Sequence, residues 1–203
     1  MEAAATSRPK RGRPSTGARE RILEGCLEVL KGSGYAGLTI AKVAAASGES
    51  KALVSYHFGS KDGLVSAASR ELGEEITREV LDGVRGAATV QEVAAGAAGA
   101  LWKLIERDER LPRVYFDLNA VSVVDPGVRD VLREIKAAWR DVVSRLLLEA
   151  EPPVPEARVG AVTTLLIAGL EGLTLERIER GETPELDQAR ELFVSAVCAV
   201  AEA

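Results

Sequence analysis

Histidine is nearly missing from this chain, with His57 the only one in 203 residues. No Cys/His cluster accompanies it, so multi-histidine metal sites and His-based triads drop out by inventory. Carboxylates are plentiful, which leaves acid–base chemistry unsupported rather than excluded. The two cysteines, Cys26 and Cys198, sit among apolar neighbours at helical spacing and read as small buried hydrophobes rather than a disulfide. No glycine-rich phosphate loop follows a strand-like run. The expectation is a protein that is not an enzyme and needs no cofactor or metal. Long hydrophobic runs are scarce too. The first fourteen residues hold Arg8, Lys10, Arg11 and Arg13 but no apolar segment of the kind a secretory leader needs. The longest uncharged apolar stretch, residues 159–170, falls well short of the roughly 20 residues that span a bilayer. A cytoplasmic protein without membrane contact is expected.

What is present is ordinary in amount, with 46% apolar and 28% charged residues, and unusual in distribution. Residues 1–63 carry ten Lys/Arg against six Asp/Glu; the remainder carries sixteen against twenty-five. A net charge of −5 thus divides into a basic head of +4 and an acidic body of −9. Such a division concentrates phosphate attraction at one end and keeps the body off nucleic acid.

Almost every segment repeats its apolar residues near a period of 3.6, and β-branched alternation is nearly absent, so the fold class is all-α with about nine helices. Residues 1–15 are small, polar and basic and form the expected disordered arm. A first helix carries the stripe Ile22, Leu23, Cys26, Leu27 and Leu30, with Gly32 and Gly34 as its end. Thr39, Ser50 and Ser60 are N-caps for three further helices, and Ser47-Gly48 and Gly59-Ser60 are the turns between them. Thr89 with Glu92 forms a capping box, and Gly96 and Gly99 in the helix it opens suggest close helix approach or space. A sixth helix starts near Pro112. Asp125-Pro126 opens a seventh, Pro152, Pro153 and Pro155 break the chain, an eighth helix stops at Gly181, and Thr183-Pro184 opens the ninth.

Two short helices joined at Gly48, with a first helix across them, form a helix-turn-helix pattern. In such a unit the second helix of the pair enters the major groove. It would present Lys51, Ala52, Ser55, Tyr56 and His57, with Val54 and Phe58 inward. Lys51 could reach guanine O6/N7 and Ser55 could bond either base type. Ser50, Tyr56 and His57 carry groups suited to phosphate, as do Thr39 and Lys42 on the preceding helix. Lys61 adds a cation in the first turn of the next helix.

The run Leu38-Thr39-Ile40, Val43-Ala44, Ser47-Gly48, Ser50-Lys51, Tyr56-His57-Phe58 and Ser60-Lys61 resembles the head of TetR-family repressors, over roughly residues 18–66. The resemblance implies a helix-turn-helix head at residues 16–63 and a ligand-binding, dimerising body at residues 64–203. It implies a sequence-specific regulator released from a palindromic operator by a small molecule. Two positions depart from the family pattern: Glu49 stands where many members have an apolar residue, placing an acid beside the DNA face, and Ser55 stands where many have tyrosine. The arm Lys10-Arg11-Gly12-Arg13-Pro14 resembles an AT-hook core, in which Arg11 and Arg13 would lie along a narrow minor groove.

In the body, Trp102, Tyr115, Phe116, Asn119 and Trp139 are the candidate effector wall, aromatic with an occasional polar group. The eighth helix is apolar nearly all round, so it must meet its own core and another surface. Leu165, Ala168, Gly169 and Gly172 there, with Leu192, Phe193 and Ala196 on the ninth helix, form the expected homodimer interface. The partners expected are double-stranded operator DNA, a second copy and a small-molecule effector. A ligand-independent architectural DNA binder stays open as an alternative, with an enzyme fused to a DNA head behind it.

Overall fold

The structure, a computed structural model, describes residues 17–202. The basic arm with Arg11 and Arg13 lies outside the described residues. Among the described residues there are nine helices: α1 (Ala18–Gly37), α2 (Ile40–Ser47), α3 (Lys51–Phe58), α4 (Lys61–Gly83), α5 (Val90–Arg107), α6 (Arg110–Ser122), α7 (Pro126–Glu149), α8 (Glu156–Arg180) and α9 (Pro184–Glu202).

The helix starts follow local chemistry. Thr39, Ser50 and Ser60 hydroxyls accept from the backbone N–H groups of Lys42, Leu53 and Gly63 at 3.1–3.2 Å. At α5 the capping box is reciprocal: Thr89 Oγ1 accepts from Glu92 N, and Glu92 Oε2 accepts from Thr89 N and Ala88 N. Asp125 Oδ1 accepts from Gly127 N and Val128 N ahead of Pro126. Helix α6 begins at Arg110, earlier than Pro112, because Asp108 Oδ1 accepts from Arg110 N. The first helical run ends at Gly34 as expected: the backbone leaves helical geometry there, with a φ of 63° that favours glycine, and a separate short turn follows to Gly37.

Buried side chains form two clusters. One joins α1–α3 to the lower body through α4, from Ile22, Val43 and Val54 to Leu72, Leu118 and Leu132. The other lies between α5, α7, α8 and α9, around Ala94, Leu147, Val162, Leu166 and Val197. Helix α4 crosses from one region to the other: Leu64, Val65 and Ala68 are buried near the head, while Ile76, Thr77 and Val80 reach a cavity in the body. Its far end touches α5 backbone to backbone, since a Cβ at Gly83 would lie 2.7 Å from the Gly96 carbonyl oxygen. Gly96 therefore answers to close approach, and Gly99, with nothing within 4 Å of an added Cβ, to space.

By length and composition α8 is apolar enough to cross a bilayer, with mean hydropathy 1.4, more than its uncharged stretch suggested. Its inner residues Val159, Val162, Leu166 and Leu170 belong to the second core cluster. Its opposite stripe, Ala161, Leu165, Ala168, Gly172 and Leu175, is exposed.

Candidate functional site: a DNA-facing head and a cavity beneath it

In the head, Val43 of α2 and Val54 of α3 are fully buried against α1, where Ile22 and Cys26 are also 0% exposed. Burial pushes the Cys26 thiol up to about 12, so it serves as a hydrophobe and not as a nucleophile. This packing turns Lys51, Ala52, Ser55 and Tyr56 outward, Tyr56 with 74% exposure. These four form one continuous outer surface of α3. Their neighbour His57 is half-buried, and its Nε2 is turned inward without a hydrogen-bond partner among the described residues.

Three expectations for the head change. Glu49 does not present an acid to DNA: its Oε1 accepts from Arg21 Nε at 3.0 Å and Nη2 at 2.6 Å, tying the turn to α1. Lys42 is folded back, with Nζ donating to the Gly37 carbonyl at 2.8 Å. Lys61 donates to the Tyr35 carbonyl at 3.2 Å and lies over the Tyr35 ring at 4.2 Å. It is first a clamp on α1, and any phosphate contact has to compete with that.

Tyr35, which sequence reasoning passed over, is where head meets body. Its backbone N–H donates to Asp117 Oδ2 of α6 at 2.6 Å, and its hydroxyl to Asp125 Oδ2 at 3.3 Å. Burial raises that hydroxyl's pKa first, and the Asp125 charge raises it further. A second clamp lies at the start of α6. Asp108 takes Arg110 Nε at 2.9 Å and Lys31 Nζ of α1 at 3.0 Å. The Arg110 hydrogen bond, then Lys31, holds the Asp108 carboxyl well below the usual carboxylate range, so the clamp is ionised throughout the physiological range.

The same α6 forms one wall of a cavity of about 110 Å³ between α4, α5, α7 and α8. Tyr115, Phe116 and Trp139 meet there, with Tyr115 ring centroids 5.4 Å from Phe116 and 5.7 Å from Trp139. Trp139 Nε1 donates to Thr77 Oγ1 at 2.7 Å. The lining carries one ionisable carboxylate, Glu171 of α8. Its Oε1 accepts from the Tyr115 hydroxyl and pairs with Lys136 Nζ at 2.9 Å, while Lys136 lies 5.6 Å from the Tyr115 ring centroid. Burial first, then the Glu171 hydrogen bond, pushes the Tyr115 phenol up, so it stays a donor.

Two expected members of this wall lie elsewhere. Trp102 is buried on the seam of α5 with α8 and α9, beside Arg177 and Arg190. Asn119 turns its amide back to the Tyr115 carbonyl at 2.8 Å and does not line the cavity. Among the expected interface residues, Gly169 changes role. A Cβ there would overlap the Phe193 ring of the same chain, so Gly169 and Phe193 join α8 to α9 within one protomer. Leu165, Ala168, Gly172, Leu192 and Ala196 remain exposed.

Residues 22–68 match the profile of bacterial regulatory proteins of the tetR family, and residues 91–201, more than half the chain, match that of the BetI-type transcriptional repressor C-terminal region. The chain belongs to the TetR family. It is a helix-turn-helix transcriptional regulator, of a family of regulators and not of enzymes. Among curated TetR-family relatives, BetI 1 of Chromohalobacter salexigens is 24% identical over 178 residues, 86% of this chain and 85% of that protein. The nicotine-responsive repressor HdnoR of Paenarthrobacter nicotinovorans is 24% identical over 132 residues, 65% and 68% of the two chains. A transcriptional regulator from Saccharomonospora viridis, solved in complex with choline, superposes with a TM-score of 0.69 at 21% identity, covering 90% and 96%. For a TetR-family protein the arrangement is coherent: α3 is the exposed helix of the head, and α4 and α6 run from the head to the cavity wall.

Proposed function

We propose that this TetR-family regulator is a cytoplasmic homodimeric repressor whose effector is a small organic cation. The observation that carries the effector class is the cavity itself: three aromatic rings that meet at Tyr115, and one carboxylate, Glu171, against the Tyr115 hydroxyl, in a mostly apolar lining. Aromatic faces attract cations by about 0.5–2 kcal/mol, more when desolvated, and a neighbouring carboxylate adds direct charge pairing. The chain's own Lys136 ammonium already sits against Glu171 and the Tyr115 ring, which is where the ligand's charge belongs. The choline complex and the nicotine response of the two relatives support the same class.

Release from DNA follows from size. At about 110 Å³ the cavity is smaller than the roughly 150 Å³ that accepts benzene in an engineered core. A larger effector has to displace the cavity walls, and a cationic one has to displace Lys136 from Glu171. Helix α6 holds α1 through Asp117 and Asp108, and α4 starts in the head at Lys61, so displaced walls change the separation of the two heads in a dimer. The decisive experiment selects operator DNA from a random pool, then titrates choline and nicotine against that complex. Release by such cations supports the reading. Release only by neutral or anionic metabolites sinks the effector class.

In the head, residues 16–63, the base reader is Lys51, with Ser55 and Ala52 beside it; Tyr56, Ser50 and Thr39 set register on the backbone, and the arm arginines Arg11 and Arg13 follow the minor groove. Lys51→Ala should relax specificity at one base pair of each half-site by about 1–3 kcal/mol. Selected-site profiles that overlay those of the parent would remove Lys51 from that role.

Asp117 is the residue through which coupling can be attacked without touching either ligand. Asp117→Ala deletes the acceptor for Tyr35 N–H. Effector and operator should then each bind nearly as before, while the effector's effect on operator affinity falls from a typical 5–150-fold to a few-fold. The check is an operator titration by fluorescence anisotropy with and without saturating effector. Undiminished coupling would place the transmission in α4 and the Asp108–Lys31 clamp instead of the Tyr35–Asp117 contact.

A further inference from the structure

Away from the effector cavity, Trp102 of α5 lies on the seam with α8 and α9 at 3% exposure. Two guanidinium groups lie against its ring, Arg177 of α8 at 5.2 Å and Arg190 of α9 at 5.0 Å from the centroid. The Arg177 side chain is one-tenth exposed and gives Nη2 to Glu182 at 2.8 Å. Its Nη1 and the indole Nε1 of Trp102 are both buried with no acceptor among the described residues. Trp139 in the same body satisfies its indole N–H on Thr77. Buried donors are normally paired, so two orphans on one indole–guanidinium stack call for an acceptor that the described residues do not supply.

Two openings flank the stack, one lined by Arg190 and the other by Arg177. Toward the start of α5, Gly99 has nothing within 4 Å of an added Cβ, and Ala95, Ala98 and Gly99 line a crevice with Arg190 and Val194 of α9. Toward the end of α5, Ile105 and Asp108 line a second opening with Arg177 and Gly181. Trp102 stands on α5 between the two. Carboxylates of Glu106, Asp108, Glu109, Glu182 and Glu191 line the two openings, yet none reaches the two orphan donors: Glu182 is half-exposed on Arg177 Nη2, Asp108 is held by Arg110 and Lys31, and Asp187 is 3.5 Å from Arg190 Nη2.

We propose that this seam is a second ligand site, which takes the carboxylate of a small organic acid. One carboxylate oxygen accepts from the Trp102 indole N–H and the other from Arg177 Nη1, with the Arg190 charge alongside. Two donors match the two oxygens of one planar group, and charge-assisted bonds of this kind are the strong ones. The proposal does not depend on the cationic effector, which is assigned to Tyr115, Trp139 and Glu171 and carries the opposite charge.

The chain has two tryptophans, so Trp139→Phe in the full-length protein leaves Trp102 as the sole indole reporter. Sodium acetate, titrated at constant ionic strength against sodium chloride, should produce a saturable change in Trp102 emission. It should also raise the melting temperature above that in chloride, as any ligand of the folded state does. Arg177→Met on that background should weaken acetate binding by about ten-fold or more. Should Arg177→Met fail to fold, Arg190→Gln, at a partly exposed side chain, should weaken it about three-fold. An acetate response no different from chloride, or one that survives both substitutions, overturns the proposal. So does a Trp102 signal that follows protein concentration instead of acetate, which would assign the seam to a second copy of the chain.

Discussion

Leu192→Asp should sediment as a monomer with an unchanged helical spectrum and show no specific operator binding. Leu192 is 62% exposed in the protomer and belongs to a face with Leu165, Leu175 and Val200, each 39–45% exposed. Isolated chains rarely leave so large an apolar stripe open unless another surface covers it. Because the side chain is mostly in water within one protomer, aspartate there costs the fold little. In a homodimer interface built on α8 and α9 it puts an unpaired charge on both sides of a two-fold axis. Each uncompensated buried charge costs about 3–5 kcal/mol, enough to dissolve a dimer of ordinary affinity. Half-sites are read in pairs, so operator binding goes with the dimer. Gly169→Ala is the contrasting variant: its added Cβ meets Phe193 inside the protomer, so it should lower the melting temperature and leave the dimer's own association unchanged. An intact Leu192→Asp dimer would move the interface off α8 and α9.

The contrast between Leu192 and Gly169 shows where a sequence stops being legible. Helix starts are local: a hydroxyl or carboxylate bonds an N–H two or three residues ahead, so Thr39, Ser50, Thr89 and Asp125 could be named from the chain alone. Periodicity also marks α8 as apolar on both faces. It cannot say which small residue meets its own α9 and which meets solvent, because that depends on the rotation of α8 against a helix across a turn. Gly169 and Gly172 lie three apart and were read together; one faces Phe193 and the other nothing.

The site followed the same division. The outward residues of α3 were readable because Val54 must be inward, and the rest follows at 3.6 residues per turn. Partners from distant helices were not. Arg21 and Glu49 are 28 residues apart, Tyr35 and Asp117 82, and Tyr115 and Glu171 56, and no local signal joins them. Their place in the motif points Lys42 and Lys61 to DNA and sets Glu49 beside it, whereas the fold gives each an intramolecular partner first. Aromatics in the body could be enumerated, and Tyr115, Phe116 and Trp139 do meet. Trp102, equally aromatic, faces another seam, which only the packing of α5 decides.

Glu171→Gln should lower affinity for choline by roughly ten- to hundred-fold while leaving its neutral isostere 3,3-dimethylbutanol unaffected. The substitution keeps shape and a hydrogen-bond acceptor for the Tyr115 hydroxyl, and removes only the charge. Close charge pairs in desolvated settings couple by about 1.5 kcal/mol or more, and the aromatic attraction that remains is worth about 0.5–2 kcal/mol, so binding weakens without vanishing. Lys136 makes the test two-sided. Its ammonium competes with the ligand for Glu171 Oε1 at 2.9 Å, so Lys136→Met should tighten choline binding, and the gain should disappear in the double variant with Glu171→Gln. The cycle is read by calorimetry on the full chain with both ligands. If choline and its isostere respond alike to Glu171→Gln, the cavity recognises shape alone and the carboxylate serves only to hold Lys136 and Tyr115. If Lys136→Met weakens choline binding instead, Lys136 organises the site and does not mimic the ligand.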